Sequence, residues 1–164
     1  MLRGAFTTLS KAHWAQRWIT RWKYAWRLAS RFIAGDTIQD ALRVVEQLNQ
    51  QGIHATLDQL GEHTTDLNEA TQASEDILTI LDQIDQSRLK SNVSIKLTQL
   101  GLSLDPEEAY QNLLRILNRA RERHNFVRVD MEDSSLTQVT LSLVRRAWDA
   151  GFSNTGVVIQ SCLY

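Results

Sequence analysis

"NVSIKLTQLGLSL", residues 92–104, is the stretch on which the fold turns. Val93, Ile95 and Leu97 alternate with Ser94, Lys96 and Thr98, the period of two expected of a strand with two different faces. This reading sets Lys96 inside an otherwise apolar strand. A lysine stem carries up to about 2 kcal/mol of rotamer entropy, and its ammonium is costly to desolvate without a partner. The even-numbered face must therefore offer that ammonium something polar.

Working outward, one unit repeats from residue 36 onward. "GDTIQDALRVVEQLNQQG" predicts a helix with Asp36 or Thr37 as N-cap, Leu42, Val45 and Leu48 as its apolar face, and Gly52 as its stop. "IHATLDQLG" (53–61) predicts a strand. "TDLNEATQASEDILTILDQIDQS" predicts the next helix, with Ile77, Leu78, Leu81 and Ile84 facing inward. "NVSIKLTQLGL" is the second strand. "DPEEAYQNLLRILNRARER" then starts a helix strongly, with Asp105 as N-cap and Pro106 at the first helical position. "FVRVDMED" (126–133) predicts the third strand, "SLTQVTLSLVRRAWDAG" a helix capped by Ser134 and Ser135, and "TGVVIQSCLY" (155–164) the fourth strand. Strands alternating with helices are βα units, so the fold class is α/β with a parallel sheet.

A chain of 164 residues with 43% hydrophobic content suits one domain with a real core. The net charge of −1 conceals an asymmetry, because residues 1–35 hold seven Lys or Arg and no acid. The remainder sets eleven basic residues against nineteen acidic ones, which excludes a body-wide basic surface for nucleic acid. The single cysteine, Cys162, excludes an internal disulfide framework and fits a reducing compartment. No apolar run approaches the roughly 18 residues that span a bilayer. The N-terminus lacks the apolar core of a secretory signal, while its basic, acid-free character overlaps with a mitochondrial transit peptide. Trp14, Trp18, Trp22 and Trp26 recur every fourth residue and predict a Trp-striped helix from about 12 to 33. That helix either packs its aromatics on the body of the protein or meets a membrane or partner.

The four strands carry polar groups at comparable even-numbered places: Asp58, Lys96, Asp130 and Gln160. In parallel α/β folds the reacting groups gather where strands end and βα loops begin. Four such residues in register predict a common polar floor. Each also has a plainer reading. Asp58 can brace a loop, Lys96 and Asp130 can form a buried ion pair without chemistry, and Gln160 can satisfy backbone groups at a strand end. Glu62 reads equally as a solvated loop acid, and "MED" (131–133) as the start of a loop. The four histidines are too scattered for metal-ligand spacing, so no metal is expected. Neither a Gly-rich phosphate loop nor a nucleophilic serine motif is present. A lysine among apolar strand residues could also form a Schiff base, an aldolase-like alternative.

The segments "RFIAGDTIQDALRVVEQLNQQGIHATLDQLGE", "NVSIKLTQLGLSLD", "FVRVDMEDS" and "GVVIQSCLY" resemble the N-terminal half of bacterial monofunctional proline dehydrogenase, from about Arg31 to Tyr164. The resemblance implies the first half of a distorted (β/α)8 TIM-type barrel over 36–164, preceded by a basic, Trp-rich N-terminal helical segment over 1–35. It implies FAD at the carboxyl ends of the strands, oxidation of L-proline to 1-pyrroline-5-carboxylate, and quinone as the electron acceptor. By motif, Lys96 would bind the proline carboxylate, Asp130 would be the active-site acid, and Met131 would lie beside the flavin. Gln160 would hydrogen-bond the isoalloxazine and Val158 would line its pocket. Asp58 and Glu62 would sit on the substrate side, Glu62 as an ion-pair gate. "SCLY", where the family more often shows Ser or Ala, an aromatic and Leu, is a mild departure. Further expected partners are a membrane surface through the N-terminal helix and copies of the same chain as a homo-oligomer, with no nucleic acid. The expected location is cytoplasmic, with membrane association as the variant. Four βα units do not close an eight-stranded barrel, so the sequence reads as a truncated or split enzyme, inactive alone. A non-catalytic half-barrel interaction module is the alternative from outside enzymology.

Overall fold

The computed structural model describes residues 34–61 and 64–160. The Trp-striped helix, Glu62 and Cys162 lie outside the described residues. The chain divides into two compact units, Met1–Val44 and Val45–Tyr164.

Thr37 starts helix α1 (Ile38–Gln50), whose residues fall in both units. Its hydroxyl oxygen accepts from the Asp40 N–H at 3.2 Å and its O–H donates to Asp40 Oδ2 at 2.7 Å. Of the two cap candidates, Thr37 is the one used. The Asp40 carboxyl is held below the usual carboxylate range, chiefly by that Thr37 hydroxyl and then by Arg43.

The second unit alternates β1 (Ala55–Asp58), α2 (Leu67–Gln86), β2 (Ser91–Ile95), α3 (Pro106–Glu122), β3 (Val127–Asp130), a 3-10 turn (Ser134–Leu136), α4 (Thr137–Asp149) and β4 (Thr155–Val158). All three strand pairings are parallel, in the order β1-β2-β3-β4. Sequential order with a helix in every crossover is the winding of a barrel wall, here an open sheet of four strands.

Two expectations need correction. The strands are shorter than their apolar runs: β2 stops at Ile95, so Lys96 stands just past the strand, and residues 97–104 turn instead of extending it. Leu102 N–H donates to Leu97 C=O at 3.0 Å and Asp105 N–H to Gly101 C=O at 2.9 Å, bonds that fold the segment over the strand end. Gly101 makes the turn at φ +98°, with a would-be Cβ 3.2 Å from Ala70 Cβ. The period-two pattern also predicted one apolar and one polar face, yet Val93, Ser94 and Ile95 are all buried. Arg128, opposite Ser94 in the register, reaches across β2 to Thr56 Oγ1 at 3.4 Å.

The core lies between the odd-numbered strand residues and the helices. Val93, Ile95, Val127 and Val129 meet buried Ile77, Leu81 and Ile84 of α2, Leu113, Ile116 and Leu117 of α3, and Leu143 and Val144 of α4. Truncating any of the larger ones to Ala should cost about 2–5 kcal/mol. Asp66 and Asp105 cap α2 and α3 by accepting two N–H bonds each. The last helix is entered differently from expectation. Neither Ser134 nor Ser135 caps it: Asp133 caps the preceding 3-10 turn, accepting from the Ser135 N–H at 2.8 Å, and α4 itself, with Leu136 at its N-cap, has no side-chain cap. The bond from Ser135 is also the main reason the Asp133 carboxyl sits below the usual range.

Every helix leaves toward its strand by the same turn. The second residue past the helix is left-handed, at Gly52, Arg88, His124 and Gly151, and the next N–H reaches back five residues: Ile53 to Leu48, Leu89 to Ile84, Asn125 to Ala120, Phe152 to Ala147. These are Schellman closures, which satisfy helix-end carbonyls that would otherwise lack partners.

Candidate functional site at the carboxyl ends of the strands

The strand ends opposite these turns gather the polar residues singled out in the sequence. Strand alternation puts Thr56, Asp58, Ser94, Arg128, Asp130 and Val158 on the face away from the helices. The register places Asp58 beside Ser94, and Asp130 beside Val158. Extending the β2–β3 pairing by one residue sets Lys96 level with Asp130. The four expected polar residues thus share a face, but they are staggered along it and do not form one level row. Stagger between neighbouring strands is what a tilted barrel wall requires.

Lys96 donates from its ammonium to Asp58 Oδ2 at 2.9 Å, across the β1–β2 boundary. Its side chain is 15% exposed, against 36% for Asp58. The pair is therefore only partly desolvated, and the carboxylate keeps an open side. The ion pair is thus with Asp58, where the plainer reading of the sequence had set Asp130. The Asp130 carboxylate has no hydrogen-bond or ion-pair partner among the described residues and is half-buried. An acid left without a partner beside a fixed ammonium is available to a ligand.

Past the last backbone pairings, side chains join the strand ends. Gln99 Nε2 donates to the Gln59 carbonyl at 2.9 Å, tying β2's exit to β1's. Glu132, just after β3, accepts from the Thr98 N–H at 3.2 Å through Oε2 and from the Thr98 hydroxyl through Oε1. Thr64 Oγ1 donates to the Thr98 carbonyl at 2.9 Å. Gln160 Nε2 donates to the Met131 carbonyl at 2.9 Å, tying β4's exit to β3's. The plainer reading of Gln160, satisfying a backbone group, is thus met by its amide nitrogen. Met131 itself is buried, with its side chain in the odd-numbered set.

The sequence reading missed Thr98, Gln99 and Glu132. Thr98 carried a signal, since it shares the even phase of Lys96, and Glu132 shares that of Asp130. Nothing in the spacing says that the two meet.

A concavity lies at the amino ends of the strands. It encloses about 560 Å³ and is lined by His54, Arg88, Lys90, Arg123 and His124 among others. The carboxyl ends of α2 and α3 point there, and cations offset the partial negative charge of such helix ends. No group of His, Cys, Asp and Glu able to hold a metal occurs among the described residues. No helix among them is long and apolar enough to cross a membrane.

A family model described as proline dehydrogenase matches residues 41–163. "Proline dehydrogenase 1" of Bacillus subtilis is 41% identical over 134 residues, covering 82% of this chain and 44% of the relative. "Proline dehydrogenase" of Deinococcus radiodurans is 34% identical over 138 residues, with the same coverage of 82% and 44%. The chain therefore spans less than half the length of the curated relatives it matches. Among solved structures, proline utilization A (PutA) of Bdellovibrio bacteriovorus superposes with a TM-score of 0.75 at 22% identity, over 84% of this chain and 17% of that one. A PutA variant from Bradyrhizobium japonicum gives 0.61 at 20% identity, over 77% and 14%. Both share the fold.

Proposed function

This chain belongs to the proline dehydrogenase family, and on that premise we propose that its carboxyl-end rim is the substrate-facing wall of an enzyme oxidising L-proline to 1-pyrroline-5-carboxylate. The observation that carries the reading is the Lys96–Asp58 pair beside the unpartnered Asp130, at the strand ends where barrel enzymes keep their chemistry. A fixed, strongly hydrated ammonium suits a carboxylate ligand. Lys96 would hold the proline carboxylate, with Asp58 orienting the ammonium. Asp130 would be the acid nearest the reacting ring. Glu62 would act as a gate from the loop after β1.

FAD is the cofactor this reading requires. Val158 offers an apolar wall and Gln160 an amide that both donates and accepts, a donor set that fits the edge of an isoalloxazine with its adjacent acceptors and N–H. Met131, whose carbonyl anchors Gln160, would fix that edge. When bound, the flavin supplies the two-electron acceptor for the hydride leaving the carbon next to the proline nitrogen. The residues of this chain would orient the ring and the carboxylate, which is the larger part of what such a step asks of a protein. Quinone as final acceptor, a cytoplasmic or membrane-associated location, homo-oligomer formation and a separate basic segment over 1–35 beside a barrel segment over 36–164 belong to the same proposal. The Schiff-base alternative is weaker, because an ammonium held against Asp58 is not the neutral amine that carbonyl attack needs.

The test is a chimera in which this chain replaces the matching part of the Bacillus subtilis relative. The chimera should carry a flavin absorbance spectrum and reduce a dye only when proline is added, while the 164-residue polypeptide alone should do neither. A folded chimera that holds flavin but ignores proline would contradict the proposal. So would proline-dependent dye reduction by the 164-residue polypeptide, for the expectation about the isolated half.

A further inference from the structure

Where the backbone pairing of the sheet stops, three side chains continue it: Gln99, Glu132 and Gln160. Glu132 differs from the other two. It is the charged one, and it makes two bonds to a single residue, taking both the N–H and the hydroxyl of Thr98. A carboxylate only accepts, so it can meet two donors at once, whereas an amide would turn its NH2 toward one of them. Thr98 is 2% exposed, and its own carbonyl is held by Thr64. It is thus fixed at every polar atom it has.

Lys96 lies two residues before this anchor, and its carbonyl accepts from the Gln99 N–H at 3.2 Å. The lysine stem is flexible, so the ammonium stays at Asp58 only while the backbone beneath it is fixed. β2 has already ended at Ile95, and the sheet no longer fixes it there. The clamp from β3's exit does.

We propose that Glu132 is a positioning residue that acts through Thr98 to keep the Lys96 ammonium on Asp58. That this ammonium then meets a substrate carboxylate rests on the reading above; the positioning does not. The same clamp makes the Lys96 turn a shared product of β2 and β3.

The experiment is competitive acetylation of the 164-residue chain by a water-soluble reagent, quantified peptide by peptide, with exposed Lys90 as the internal reference. Neither flavin nor proline is present, so its failure is separate from failure of the functional proposal. In Glu132→Ala the Lys96-to-Lys90 rate ratio should rise roughly tenfold, the change that one pKa unit in an amine produces. Thr98→Val, which alters no charge, should raise it by a smaller factor, and Glu132→Gln should fall between wild type and Glu132→Ala. Thermal melting of each variant checks that the fold persists. If Glu132→Ala fails to fold, the other two variants decide. An unchanged ratio in Thr98→Val together with a full-sized rise in Glu132→Gln would mean that only the charge matters, and would overturn the proposal. An unchanged ratio in all folded variants would overturn it as well.

Discussion

The two ends of this sheet are built on different terms. At the amino ends, four copies of one backbone turn deliver the helices to the strands, and the side chains that bridge them are neutral amides. Asn49 bonds Lys90 N–H and C=O, Asn125 bonds the Ser91 carbonyl, and Asn154 bonds the Leu117 carbonyl. At the carboxyl ends no turn repeats. The strand exits are joined by Gln99, Glu132 and Gln160, each with a different partner. The repeated turn needs only backbone geometry and tolerates different residues, Gly, Arg and His among them. An individual end depends on named side chains, and that dependence is what lets it hold a ligand in one orientation.

The carboxyl-end rim is most sensitive to substitution at Gly101. Alanine there meets both a left-handed backbone and Ala70 at 3.2 Å, and should destabilise by about 2–4 kcal/mol in urea unfolding. If Gly101→Ala were as stable as wild type, the rim would not be the tightly specified end. Glu132→Ala comes next. Leaving the Thr98 donors unmet should cost about 1–3 kcal/mol, read by the same unfolding midpoint. The amino end should behave in the opposite sense. Arg88 occupies its turn at φ 52°, so Arg88→Gly should raise stability by about 1 kcal/mol, with no effect on the rim. A loss of stability there would show that the turn depends on its side chain after all.

The smallest effect is a matter of pH. Asp133 is depressed by the Ser135 N–H it caps, so its contribution is fully present above the unfolded-state value and is lost as pH falls through the folded one. Asp133→Asn keeps the cap. It should leave the melting temperature at neutral pH within about a degree or two, and should show a shallower loss on acidification than wild type. An identical acid profile would remove Asp133 from the account.

Much of this was legible in the residues. The cap at Asp105, the inward face of α2 and the parallel order follow from spacing and from charge at helix starts. The strand lengths were not legible. Leu97, Leu100 and Leu102 are apolar because they are buried under α2 and α3 in a turn, and burial looks alike in a strand and in a folded-over loop. The site was half legible. Lys96 drew notice as a charge among apolar residues, yet its partner proved to be Asp58, because the register between strands, which no single strand reveals, decides who faces whom. Thr98 and Glu132 lie 34 residues apart, and nothing local announces a bond of that reach.

The proposed role of Lys96 is to meet the carboxylate of proline. The most direct measurement is the proline dependence of dye reduction by the chimera with the Bacillus subtilis relative, with and without Lys96→Met. The account predicts that the variant keeps its flavin absorbance and loses roughly a hundredfold in kcat/KM for proline, the worth of a charged hydrogen bond. A variant that oxidises proline with the unsubstituted chimera's KM and kcat would contradict it.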